Sequence, residues 1–206
     1  MAQGSGITNP KPGDLLFFRF SGFSFVRLGQ SIILWRRSRY DHVAVCVWDG
    51  GHQPTVIHDV RDPVGVYPWT VYLDAMRKGE ITIDVWRPTM GDEYSHSTAV
   101  HRILTQWPKG TPYGFRKFFL GLLPDTRRPI CSEAARRYLE ERAGERMPPI
   151  DWKRRRAGLR RPGGGFITVD ALTIAREEDG TKWLAYVGPL SPDPLESVSL
   201  SEHALS

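Results

Sequence analysis

The period of apolar and polar positions changes several times along the chain, and each change marks an element. DLLFFRF (14–20) is a short, nearly unbroken apolar run after Pro12-Gly13 turn chemistry, which predicts a buried strand. HVAVCVW (42–48) is the strongest strand signal, β-branched and apolar, closed by Asp49-Gly50-Gly51. TVIHDV (55–60) follows after a short turn and predicts a hairpin with it. ITIDVWR (81–87) alternates and stops at Pro88, as a further strand does. From Ser95 or Ser97 to Trp107 the period lengthens. Val100, Ile103, Leu104 and Trp107 form a helical stripe, with Pro108 as its stop. A second helix runs from Ser132 to Gly144, a glycine of the kind that ends helices. FITVDALTIAREEDG contains another helix, and KWLAYVG (182–188) is the last strand.

Strands cluster early and return at the end, with helices between them and no regular strand–helix alternation. The pattern predicts an α+β fold built on a mostly antiparallel sheet. Residues 1–12 read as an extended lead-in, 13–189 as one domain, and the Ser- and Pro-rich 190–206 as a flexible tail. The apolar stretch FSFVRLGQSIILW (23–35), broken by Arg27 and Gln30, is too short to span a bilayer and reads as an amphipathic helix.

A formal net charge of +5 favours anionic partners. The basic run DWKRRRAGLRR (151–161) holds Lys153, Arg154, Arg155, Arg156, Arg160 and Arg161. It reads as a solvated loop or as a contact for an anionic polymer. The start MAQGSGITNPKPGD has neither a basic head nor an apolar run, so the expectation is synthesis in a cytoplasm with no secretory signal. Two cysteines cannot make a disulfide framework. No Cys/His spacing suggests a structural zinc site, and no cofactor is expected.

Chemistry concentrates at Cys131. Counting from it, Ala134, Ala135, Tyr138 and Leu139 share its helical face, so the sulfur is expected at a helix N-terminus against the sheet. There the backbone N–H groups and the helix dipole favour thiolate and can hold an oxyanion. On this helix alone, a small buried residue is the commoner role for such a cysteine. A base is required. His42 opens the strongest strand, and His58 lies on its hairpin partner, where one imidazole could orient the other; Asp59 and Asp62 compete for the orienting role. Cys46, mid-strand, reads as core. His52 lies in a Gly-bounded turn and His203 in the tail; His96 and His101, beside a helix start, are expected on the surface.

Taken together, KPGDLLFF resembles the strand opening of NlpC-type cell-wall peptidases, and YDHVAVCVWDGG resembles their His-bearing strand with its glycine turn. PICSEAARRYLEE follows both, with TPYGF upstream of it. This order is similar to that of the circularly permuted branch of the papain-like superfamily, the YiiX-like proteins related to lecithin:retinol acyltransferases. The resemblance implies a permuted papain-like core with Cys131 as nucleophile, His42 as general base and His58 as the polar third residue, where similar sequences often carry Glu. Asp41 stands where the family commonly has Ser or Thr. Tyr113 matches the tyrosine of the Pro-Tyr-Gly segment and, with Ser132, is implied at the substrate cleft or oxyanion site.

The activity implied is a metal-free cysteine hydrolase acting on an amide or peptide bond in cell-wall peptidoglycan, reached through delivery to the wall or a phage particle. The alternatives are lipid acyl hydrolysis or transfer on the same fold, and a non-enzymatic nucleic-acid or other anion binder using the 151–161 run.

Overall fold

A computed structural model describes residues 10–22, 39–47, 56–59, 64–91, 93–112, 114, 129–144, 169–175 and 180–192. The expected helix at 23–35, the basic run 151–161 and the tail beyond residue 192 lie outside them. The described residues form β1 (Leu15–Phe20), β2 (His42–Val47), β3 (Val56–Asp59), β4 (Gly65–Pro68) and β5 (Ile81–Pro88). β6 (Leu184–Pro189) closes the series. The helices are α1 (Leu73–Arg77), α2 (Glu93–Gln106), α3 (Cys131–Ala143) and the one-turn α4 (Val169–Leu172); a 3-10 turn (Trp69–Tyr72) leads into α1.

The strands make one six-stranded sheet in the order β4-β3-β2-β1-β5-β6. Every described neighbouring pair is antiparallel. The fold is therefore a mixed α/β one on an antiparallel sheet, with the first strand near its middle. β2 and β3 form the expected hairpin, pairing Val45 with His58 and Cys46 with Ile57.

Each strand presents alternate residues to opposite faces, and here both faces are covered. On one, Leu15, Phe17, Val43, Val45, Val47 and Trp86 pack with Ala99, Ile103 and Trp107 of α2 and with the stripe Cys131, Ala134, Ala135, Tyr138, Leu139 of α3. On the other, Leu16, Phe18, Ala44, Ile83 and Val85 pack with Tyr72 and Met76. Leu15, Leu16, Phe17 and Phe18 are at most 1 % exposed, which is why the run is continuously apolar rather than alternating.

Turn chemistry decides where α3 stops. Gly144 has φ 73°, the left-handed conformation that closes a helix and that a side chain disfavours. The carboxylate of Glu133 accepts the N–H of Ile130 at 3.2 Å, tying down the residue before the helix.

Backbone and side-chain contacts fix the direction of α3. At its C-terminal end, the Tyr138 hydroxyl lies 3.4 Å from the Gly13 carbonyl, and the Gly13 N–H donates to the carbonyl of Cys46 near the end of β2. Arg142 donates to the carbonyls of Met90 and Gly91, just past the end of β5. At the other end, the Gly114 N–H donates to the Pro129 carbonyl, and the neighbouring Gly110 and Thr111 exchange backbone bonds with Val64, which leads into β4. β2, β4 and β5 run in the same direction, so α3 runs parallel to β2. From Tyr138 back to Cys131 is about 10 Å of helix, and from Cys46 back to His42 about 13 Å of strand. Cys131 and His42 therefore sit at the same end of the sheet.

Candidate active site

Cys131 is the first residue of α3, 5 % exposed and part of the core cluster shared with Val43 and Val45. It is where the helical stripe in the sequence places it, on the sheet side. Ser132, the next residue, is 3 % exposed. Ile130, in extended conformation, and Pro129 lead into the helix, so the chain turns sharply at the cysteine. The N–H groups of a helix's first turn point outward along its axis, toward whatever approaches its head.

His42 is half-buried at the opening of β2. Its ring lies tilted against Phe18, with centroids 5.4 Å apart. Phe18 belongs to the cluster on the sheet face opposite Cys131. The topology thus brings His42 and Cys131 to one rim of the sheet from its two sides. The residue before the histidine, Asp41, is buried at 2 % exposure; its carboxylate accepts the Phe20 N–H at 2.9 Å and its own N–H donates to the Phe18 carbonyl at 2.8 Å. These two bonds lock the first residues of β2 onto the end of β1. The backbone places His58 opposite Val45 and Asp59 at the end of β3; the side chains of both lie outside what is described, as do Asp62, Tyr113, His52 and His203.

Cys46 is fully buried, and desolvation, with a smaller contribution from the Asp14 charge, pushes its thiol up to about 12. It is the core cysteine the sequence implies, and burial makes it inert. The thiols thus occupy different settings: one deep in mid-sheet, the other at a helix head.

His96 overturns an expectation. Instead of lying on the surface it is 4 % exposed on α2, with Nδ1 2.8 Å from the Tyr138 hydroxyl and the two rings edge to face. The sequence did carry a signal: His96 is seven residues before Ile103, about two turns upstream on the same buried stripe. His101 is exposed, as expected.

A third polar cluster lies across β1 and β5. Asp84 accepts hydrogen bonds from Tyr40 at 2.6 Å and Arg39 at 3.0 Å, with Tyr186 at 3.4 Å. Asp14 is held by Arg87 through two bonds of 2.8 and 3.0 Å and accepts the Lys11 N–H. Both are satisfied buried carboxylates that stitch the sheet together. Among the described residues, no three His, Cys, Asp or Glu side chains gather as a metal site, and no helix is long and apolar enough to cross a membrane.

The fold and site thus define an antiparallel sheet with a cysteine at the head of the helix laid across it. The fold is similar to that of the crystal structure of the metalloprotein YiiX from Escherichia coli O157:H7, with a TM-score of 0.50 and 21 % identity over 68 % of this chain and 69 % of that one. The likeness supports a YiiX-like fold. No family model and no curated protein sequence matches the chain.

Proposed function

We propose that the chain is a cysteine hydrolase of permuted papain-like type, acting on an amide or peptide bond of cell-wall material. What supports this reading is that Cys131 stands at the first position of α3 and His42 at the first position of β2, two elements that begin at the same end of the sheet. The order of the elements, histidine strand before cysteine helix, is that of the permuted branch. The kinship with NlpC-type peptidases and lecithin:retinol acyltransferases belongs to this proposal and rests on the motifs.

In the reaction, His42 takes the thiol proton and the Cys131 thiolate attacks the carbonyl carbon. The C=O π pair moves to oxygen, where N–H groups of the first turn of α3 stabilise the negative charge. Collapse of this adduct breaks the C–N bond; the imidazolium returns the proton to the leaving amine, leaving a thioester on Cys131. Water, deprotonated by His42, then attacks the thioester, releasing the acid and restoring the thiol. His58 is the proposed orienting residue, and Tyr113 and Ser132 are the proposed residues of the oxyanion site or substrate cleft. YiiX is a metalloprotein; the steps proposed here run through the thiol.

The test is covalent. Iodoacetamide at neutral pH should label the protein rapidly and at Cys131, and Cys131→Ala should abolish that labelling. Fast labelling that persists at Cys46 in the variant would sink the assignment. Incubation with peptidoglycan fragments should give an acyl adduct on Cys131 by mass spectrometry; an adduct appearing only with acyl lipids would redirect the substrate. His42→Ala should lower turnover by about 100- to 10,000-fold. Equal turnover in that variant would remove His42 as the base.

A further inference from the structure

The buried cluster around Tyr138 lies about two turns along α3 from Cys131, and the proposed chemistry does not use it. The Tyr138 hydroxyl meets three partners from three parts of the chain: His96 Nδ1 on α2 at 2.8 Å, Arg142 Nη1 on α3 at 3.0 Å, and the Gly13 carbonyl before β1 at 3.4 Å. The hydroxyl has one hydrogen to give. Arg142 can only donate, so the hydroxyl oxygen accepts from it, and the hydrogen goes to the nearer acceptor, the unprotonated Nδ1. This chain of bonds, Arg142 to Tyr138 to His96, is complete only while His96 is neutral.

Protonation of His96 would reverse the bond at Nδ1. The imidazolium would donate to an oxygen already accepting from a guanidinium, placing two cations on one hydroxyl and turning its hydrogen toward the more distant Gly13 carbonyl. Arg142 has little freedom to retreat, because its Nε is bonded to the Met90 carbonyl and its Nη2 to that of Gly91. The charged groups facing His96 are Arg142 on α3, which opposes a second positive charge, and Asp14 before β1, which favours it. Asp14 is itself paired with Arg87 of β5 through both oxygens. Cys46 of β2 and Tyr138 complete the titratable surroundings, and burial holds both in their neutral forms.

We propose that the His96–Tyr138–Arg142 relay is an acid-labile latch. It clamps α2 and α3 to each other and to the segment entering β1 while His96 is neutral, and it releases when His96 gains a proton. Desolvation first, then Arg142, hold the imidazole down to about 4. A folded-state value below the ordinary 6.5 means that the released form binds the proton more readily. Docking is therefore full above about pH 6.5 and weakens as pH falls toward 4. Because α3 carries Cys131, release loosens the helix that positions the thiol. The latch itself stands independently of any chemistry at Cys131.

The experiment compares thermal unfolding of the wild-type chain with that of His96→Asn from pH 8 to 4.5. The asparagine carboxamide oxygen can take the hydroxyl hydrogen but does not titrate. Between pH 6.5 and 4.5 the wild-type midpoint should fall about 5 °C further than that of the variant; parallel curves would overturn the latch. Two wild-type measurements decide the matter if the variant does not fold. The His96 Cε1 proton, assigned by NMR, should show no titration above about pH 5, and an ordinary midpoint near 6.5 would overturn the proposal. The backbone amides of α2 and α3, with exchange rates corrected for the intrinsic effect of pH, should lose at least tenfold of their hydrogen-exchange protection between pH 7 and pH 4.5, and unchanged protection would equally overturn it.

Discussion

Asp41 illustrates how much one buried side chain contributes to the candidate site. Its carboxylate satisfies the Phe20 N–H at the end of β1 while its backbone starts β2, so the position of His42 depends on it. Asp41→Ala leaves that N–H without its acceptor and should cost about 1–3 kcal/mol, read as a lower urea midpoint with unchanged slope. A midpoint equal to the wild type would show that water replaces the carboxylate there. The role was not legible in the sequence, because Asp41 stood out only as a departure from Ser or Thr in similar sequences, and its acceptor function needs β1 and β2 to be paired. Cys131 was legible, since its position at the head of a helical stripe is a local property. His96 was misjudged for a related reason: a histidine beside a helix start is usually wet, and what buries it is Tyr138, forty-two residues away.

At the scale of elements, α3 was the most readable part of the chain. The stripe from Cys131 to Leu139 gave the face, and Gly144 gave the end. A Cβ built on Gly144 meets nothing within 4 Å, so the cost of Gly144→Ala is backbone strain alone. That substitution should destabilise the protein by about 1 kcal/mol, measured by chemical denaturation. A loss several times larger would mean that Gly144 packs against something in the segment that follows. The strands with long apolar runs were equally readable. The stretch between β3 and β5 was not: β4 spans four residues, bounded by Pro63 and Pro68, and α1 spans five, so neither offers a full period to recognise. α4 is a single turn within the segment expected to contain a helix. Short elements of this kind exist because the sheet and its covering layers hold them, not because their own residues favour them.

At the scale of the whole molecule, the sheet is a partition, and the candidate site straddles its rim. Neighbouring residues of β1 point into different cores. Phe17 is packed with Tyr40 and Trp86 in the core shared with Cys131, while Phe18 touches His42 and Tyr72 on the other face. Both rings are essentially unexposed, so Phe17→Leu and Phe18→Leu should cost similar amounts, about 1–2 kcal/mol each. Their effects on the site should differ. Phe18→Leu removes the ring against which the imidazole lies, so it should change the NMR titration of His42 and, through the proton that His42 takes, lower both turnover and the alkylation rate of Cys131. Phe17→Leu should shift Cys131 reactivity and leave His42 nearly untouched. If both substitutions moved both readouts equally, the two faces would be mechanically coupled through β1, and the nucleophile and base would be held by one core rather than two.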